Sequence, residues 1–330
     1  MEEQGFSRPA PPVRPVVNAT SSPAVYFLIG AERSGTTLLR LMLDHHPSIS
    51  CGGEFNFATE FLNPDGTEPP PAEFEARLSR YRAFVDSACQ FNPELSYTEQ
   101  VQQFFRDFCG DGEVRGATVH FNISALTRYW PEAKFIHLIR DPRDVAPSAI
   151  KMGWSGNMYT AARRWDEAEA EIAAFRAQVG EDRLIDLRFE DLVSQPVQEL
   201  TRLAEFLGLE YDPLMLSYPE HTTYPAPDAS AAARWKKKMP VEDVQLVEAR
   251  LRDRMIEWGY ELSGHPAIEV DAQVEADLER QDRKARRAAR VERYGWPLVT
   301  SHWLAKRLRW EGWHERTVQK MIDIDRAHLR

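Results

Sequence analysis

No apolar run in this 330-residue chain approaches the roughly 20 residues that a helix needs to cross a bilayer. The N-terminus is acidic and then proline-rich, with no basic segment leading into an apolar stretch, so it does not read as a secretory signal. Cysteine is scarce: Cys51, Cys89 and Cys109 form no Cys-x-x-Cys pair and no close metal-ligand spacing. One disulfide is chemically allowed, but nothing suggests an exported disulfide scaffold, and buried thiols are the expectation. Excess positive charge is also absent. A formal charge of −10 argues against bulk nucleic-acid binding, which draws on clustered Lys and Arg, although a few local cations can still hold one small anion. Cytoplasm is the default location that these absences leave.

Length and composition suit a soluble globular chain able to bury a sizeable core. Residues 1–22 are prolines and small polar residues, read as a flexible arm. AVYFLIG, Ala24 to Gly30, reads as a buried strand, and Thr36 to Asp44 as a helix closed by Pro47. ISCGGEF gives a second short strand, KFIHLIR (Lys134 to Arg140) a strong one, and Arg183 to Arg188 another. Asp144 reads as the cap of a helix running to about Met152, and Pro196 to Leu207 as a helix stopped by Gly208. Strands alternating with helices predict an α/β fold, a mainly parallel sheet flanked by helices, with ligands at the strands' carboxyl ends. Residues 23–260 form the expected core domain, with a helical insertion or lid over about 61–110. Residues 261–330 read as a helical C-terminal extension: an acidic helix near 271–280, a basic one after it, and Trp296, Trp303 and Trp310 at seven-residue intervals. Packing of that tryptophan stripe on the body is the plainer reading; an oligomer or membrane-surface face is the sharper one.

Two segments carry chemistry. In GAERSGTTLLRLML, Gly30 and Gly35 have the spacing of a Walker phosphate loop, but Thr36 stands where the lysine belongs. The only long cation between the two glycines is Arg33. Backbone N–H groups, the helix N-terminus, Arg33 and the Thr36 and Thr37 hydroxyls still suit an anion, better a short phosphate-containing group than a magnesium triphosphate. In KFIHLIRDPRDVAPSAIKMGW, Arg140 ends a strand and Ser148 lies about two turns into the next helix, an arrangement suited to a second phosphate. Arg143 is placed either there or in an ion pair with Asp141, Asp144 or another carboxylate.

GAERSGTTLL followed by KFIHLIRDPRDVAPSAI resembles the sulfotransferases that use 3'-phosphoadenylyl sulfate (PAPS), and GAERSGTTLLRLMLDHHPSISCGGEF is similar to the tyrosylprotein sulfotransferases and their bacterial relatives. FEDLVSQPVQEL and ARWKKKMP resemble later family segments. The resemblance covers roughly residues 24–260 and implies a P-loop-containing sulfotransferase fold, a PAPS sulfonate donor, release of adenosine 3',5'-bisphosphate (PAP) and no required metal. Carried over residue by residue, Arg33, Ser34, Gly35, Thr36 and Thr37 surround the 5' group, and Arg140 and Ser148 hold the 3'-phosphate. Phe189 stands where tyrosine is common, and Trp235 begins the late donor-binding region. Which of Lys236, Lys237 and Lys238 meets a phosphate stays open.

The transfer needs a base. Glu54 in CGGEF corresponds to the catalytic glutamate of the tyrosyl enzymes, and His120 in GATVHFN is its rival, since imidazole suits proton transfer near neutrality. Arg33 serves catalysis as well as binding. A small molecule, glycoside or lipid hydroxyl is the expected acceptor, with a protein tyrosine as the alternative; Asn56 stands where the tyrosyl enzymes carry a substrate-facing arginine. Trp154, Asn157, Tyr159 and Trp165 line an aromatic or sugar site or else pack the core. No nucleic-acid partner is expected, and homo-oligomerisation through the tryptophan-rich helices is an open option. Two rivals remain: a magnesium-dependent P-loop kinase or NTPase, and a non-catalytic nucleotide-binding adaptor.

Overall fold

A computed structural model describes residues 23–328 apart from Pro64 and Ala88, so the expected arm over residues 1–22 lies outside the described residues. Five strands, β1 (Ala24–Ile29), β2 (Ile49–Glu54), β3 (Val114–Val119), β4 (Lys134–Ile139) and β5 (Leu184–Arg188), form one parallel sheet in the order β2-β3-β1-β4-β5. The chain runs outward from β1 to β2, returns to β3, and crosses to β4 on the other side of β1. That reversal at β1 opens a crevice beyond its carboxyl end, where α/β sheets take their ligands. Ile29 is level with both Val119 and His137, which sets the residues that follow β1 and β3 side by side.

The central strands are apolar on both faces because both are covered. Phe27, Ile29, Ala117, Val119 and Phe135 face one layer; Tyr26, Leu28, Ile136, Leu138 and Leu187 face the other. Helix α1 (Thr36–Asp44) contributes Leu39, Met42 and Leu43 to the second layer. The expected insertion contains α2 (Pro71–Leu78), α3 (Arg82–Val85) and α4 (Tyr97–Cys109). Phe74, Phe104 and Phe105 from it are buried in the first layer, and Phe105 lies 5.4 Å from Phe27 between ring centroids. The insertion's buried apolar residues are therefore spent on the sheet. All three cysteines are buried thiols.

After the short α5 (Leu126–Tyr129) and β4 comes α6 (Pro142–Lys151). Its cap is Asp141, whose side chain accepts from the Arg143 N–H, and not Asp144 as the sequence suggested. Proline is tolerated at the first helical position, so Pro142 opens the helix instead of delaying it. Helix α7 (Met158–Val179) follows, capped by Asn157, and then α8 (Phe189–Ser194) and α9 (Pro196–Leu207), which Gly208 ends. Within β4 the one polar interruption, His137, is buried between Asp186 and Glu169. Burial alone would lower its pKa, but the two carboxylates outweigh that and raise it to about 9.

The remaining helices are α10 (Trp235–Lys238), α11 (Val241–Glu257), α12 (Ala272–Tyr294), α13 (Trp296–Arg307) and α14 (Glu311–His328). The expected acidic and basic helices are one, α12, because no glycine or proline intervenes before Gly295. It docks on the start of α7: buried Asp282 accepts from the Gly156 N–H at 2.7 Å and from Thr160 Oγ1 at 2.8 Å. The tryptophan stripe does not pack on the body. Trp296, Trp303 and Trp310 are 58%, 55% and 62% exposed, because Ala305 and Trp313 occupy the inward side of the α13–α14 corner. No helix among the described residues is long and apolar enough to cross a membrane.

Candidate functional site

The loop from Gly30 to Gly35 joins β1 to α1 at the sheet's reversal point. Arg33 and Gly35 both take left-handed backbone, φ 72° and 104°, which turns the chain sharply enough to start α1 at Thr36. No side chain caps α1, so its first N–H groups remain for a ligand. The Arg33 side chain extends outward and its Nε donates to Ser148 Oγ at 2.9 Å. The two segments singled out from sequence thus meet, although 115 residues separate these partners.

Arg140 continues from β4 on the neighbouring edge. Its guanidinium lies 4.1 Å over the Phe189 ring, and Nη2 donates to the Ala231 carbonyl at 3.2 Å. Burial lowers its pKa, opposed by the nearby Asp144 and Glu190 carboxylates. Phe189 in turn presses on Gly35: a Cβ there would sit 2.5 Å from the ring. The phenylalanine keeps a stacking and packing place without a phenolic hydroxyl.

A strap over residues 228–240 crosses this edge. Asp144 accepts the Trp235 N–H at 2.8 Å and the Arg234 N–H at 3.2 Å, and the Trp235 indole donates to Asp141 Oδ2 at 3.0 Å. Burial raises the Asp144 pKa, against the pull of Arg140. Arg143, fully buried, stacks 3.7 Å over Trp235 and is held by Asp141 and Glu248, so it belongs to the ion pairs that anchor the strap. Lys236, Lys237 and Lys238 are exposed, with Lys236 Nζ 5.7 Å from the Trp235 ring centre.

On the other side of β1, Glu54 ends β2 as an exposed side chain. The strand changes register between Cys51 and Glu54, and Gly52 is required there because Phe108 lies where a Cβ would go, at 2.4 Å. His120, just past β3, is buried. Its Nδ1 donates to the Gly30 carbonyl at 2.8 Å, which leaves Nε2 as the ring's acceptor. Its backbone N–H is held at 2.7 Å by Asn56, itself buried two residues after Glu54. Asn56 is therefore engaged in fixing the loop. Beside His120 is a cavity of about 130 Å³, lined among others by Glu32, Trp154, Arg164 and Glu171.

Other expectations resolve differently. Trp165 donates to the Arg140 carbonyl at 3.0 Å, while Asn157 and Tyr159 bind Leu278 and Glu275 of α12; packing explains all three. Sequence reasoning missed Asp141 and Asp144 as strap anchors, the hold of Asn56 on the His120 N–H, and Glu32, which pairs with Arg164. Only Asp141 carried a signal, the proline after it.

Two features fit a donor with two anionic ends. Ser34 Oγ and Arg140 Nε are buried with no partner among the described residues, and one belongs to each cationic segment. Among those residues no three His, Cys, Asp or Glu side chains group as a metal site.

Residues 26–213 match the sequence profile of the sulfotransferase family. Protein-tyrosine sulfotransferase 2 of Gallus gallus is 26% identical over 204 residues, covering 59% of this chain and 53% of that protein. An omega-hydroxy-beta-dihydromenaquinone-9 sulfotransferase of Mycobacterium bovis is 30% identical over 209 residues, covering 57% and 51%. The chain spans about half the length of these two relatives. A sulfotransferase domain from the curacin biosynthetic pathway has the same fold, with a TM-score of 0.50 and 21% identity over 73% of this chain and 99% of that one. With a match over more than half its length laid on a cradle of this shape, the chain belongs to the sulfotransferase family, whose sulfuryl donor is PAPS.

Proposed function

We propose that this protein moves the sulfuryl group of PAPS to a phenolic hydroxyl, a protein tyrosine, and releases PAP. The reading rests on one observation above all: Glu54, His120, Arg33 with Ser148, and Arg140 with Phe189 belong to successive segments at the carboxyl ends of adjoining parallel strands. The sequence alone placed a small molecule, glycoside or lipid ahead of a peptide tyrosine. The weight of tyrosyl enzymes among the relatives supports the reverse order.

In this reading the loop N–H groups, Ser34, Thr36 and Thr37 bind the 5' end of the donor, and Arg140, Ser148 and the strap bearing Trp235, Lys236 and Lys237 bind the 3' end. The donor supplies the activated sulfuryl group. Arg33 balances negative charge that grows on the bridging oxygen, a contribution worth about 3 kcal/mol for one preorganised donor. Glu54 takes the proton from the acceptor hydroxyl. His120 holds the Gly30 carbonyl and so fixes the loop, keeping Nε2 available on its other side.

A lipid or small-molecule alcohol is the second reading, favoured by the higher identity to the mycobacterial enzyme. A screen of tyrosine peptides, phenols, glycosides and lipid alcohols with PAPS, read by the mass of the added sulfuryl group, decides between them. Glu54→Gln is expected to cut turnover on the order of 10²- to 10⁴-fold, with PAP affinity retained by calorimetry. Full turnover in E54Q together with its loss in H120N moves the base to His120. Equal affinity for PAP and adenosine 5'-monophosphate overturns the second anion site.

A further inference from the structure

The outer face of the C-terminal helices is unlike the rest of the surface. Trp296, Trp303, Leu304, Leu308 and Trp310 are exposed together along α13 and the turn that follows it, and the three tryptophans are more than half exposed. Trp296 and Trp303 are seven residues apart on one helix, hence on one face. An isolated exposed apolar residue needs no explanation, but five on one short segment do.

Charge singles out the same segment. Between Arg283 and Trp310 the sequence has nine Lys and Arg against one carboxylate, Glu292, in a chain whose formal charge is −10. The cations sit among the tryptophans: Arg287 of α12 lies 5.9 Å over the Trp296 ring, and Arg307 lies 5.4 Å over Trp303. Lys284, Lys306 and Arg309 of the same segment are exposed as well, while the exposed Arg283 and Arg286 reach back toward Glu279 and Asp282. The basic face of α12 and the tryptophan face of α13 are therefore one surface.

We propose that this surface docks on an anionic lipid bilayer. Tryptophan combines an apolar body with an N–H and settles at the depth of lipid headgroups, while flanking Lys and Arg pair with lipid phosphates. Nothing in the patch is long enough to span, so the contact is peripheral and reversible. A second copy of this chain is the poorer occupant: bringing two such faces together sets guanidinium against guanidinium, whereas an anionic membrane supplies the missing opposite charge. Through Asp282, Glu279 and Glu275 the other side of α12 is bound to Gly156, Arg163 and Tyr159, so the docked face is rigidly tied to the catalytic body.

The test is co-sedimentation of the full chain with vesicles of phosphatidylcholine alone or with about one-third phosphatidylglycerol, at low and high salt. Binding to the anionic vesicles is expected, weakening at least roughly tenfold on neutral vesicles or in about 0.5 M salt. The double variant W303S/W310S, whose side chains are exposed, is expected to keep its circular dichroism and its PAP affinity yet lose vesicle binding; R287E/R307E is expected to lose it as well. No binding by the folded wild-type chain overturns the proposal, as does binding that both variants retain. A dimer seen by light scattering that dissociates in W303S/W310S, without vesicle binding, assigns the face to a second copy and also overturns it.

Discussion

At Gly35 two requirements coincide: a backbone φ of 104° and a Phe189 ring that leaves no room for a Cβ. The ring that Gly35 admits is the one on which Arg140 lies. Gly35→Ala is expected to displace the platform beneath Arg140 and to cost about 1–3 kcal/mol of loop strain, seen as a drop in PAP affinity of about tenfold or more by calorimetry. Unchanged affinity in G35A would separate the loop from the second pocket. The sequence carried half of this argument. Gly30-x-x-x-x-Gly35 announces an anion loop, but the partner that makes the second glycine obligatory is 154 positions away and carries no local mark. His120 shows the same limit: a histidine past a strand reads as base or as structure, and only the Gly30 carbonyl at 2.8 Å shows what its Nδ1 does.

The element that most depends on folding is the strap over residues 228–240. Its own sequence, DASAAARWKKKMP, is alanine-rich and lacks long apolar residues other than Trp235 and Met239. It is held from outside by α6: two backbone N–H groups on Asp144 and the indole on Asp141. Hydrogen bonds to a charged acceptor contribute about 1.5–3 kcal/mol each. Asp144→Ala is therefore expected to release the strap, with faster amide exchange over 228–240 and donor binding weaker by about tenfold, while the sheet keeps its protection. Normal exchange in D144A would show that the indole and Arg143 suffice. Strands and helices were legible as elements because apolar periodicity is local. The capping of α6 by Asp141, with Asp144 turned instead to the strap, depends on a segment some 90 residues on.

At the scale of the molecule, His137 joins β4, α7 and β5 through Glu169 and Asp186. Its folded-state pKa is raised from 6.5 to about 9. A raised histidine pKa stabilises fully while the unfolded chain is also protonated, below about 6.5, and that stability is lost as pH rises through 9. Denaturant unfolding between pH 6 and 9.5 is expected to show a decline on the order of 3 kcal/mol, and His137→Gln is expected to flatten it. A pH-independent wild type over that window would mean the histidine is neutral in the fold. Across the same molecule the C-terminal helices, which the sequence set apart, are joined to α7 by buried Asp282.

By itself the sequence determined the alternation of strands and helices, the anion loop, Arg140 at a strand end, and the family to which these motifs point. Each is a matter of residues within about a dozen positions, where periodicity, glycine and charge act locally. The tertiary structure alone decided that Arg33 meets Ser148, that Arg143 anchors the strap in ion pairs, that Asn56 holds the His120 N–H, that Phe74, Phe104 and Phe105 join the core, and that the tryptophans face outward. Those outcomes turn on which distant side chain reaches a buried polar or apolar group first, and packing settles that only once the whole chain has closed around the sheet.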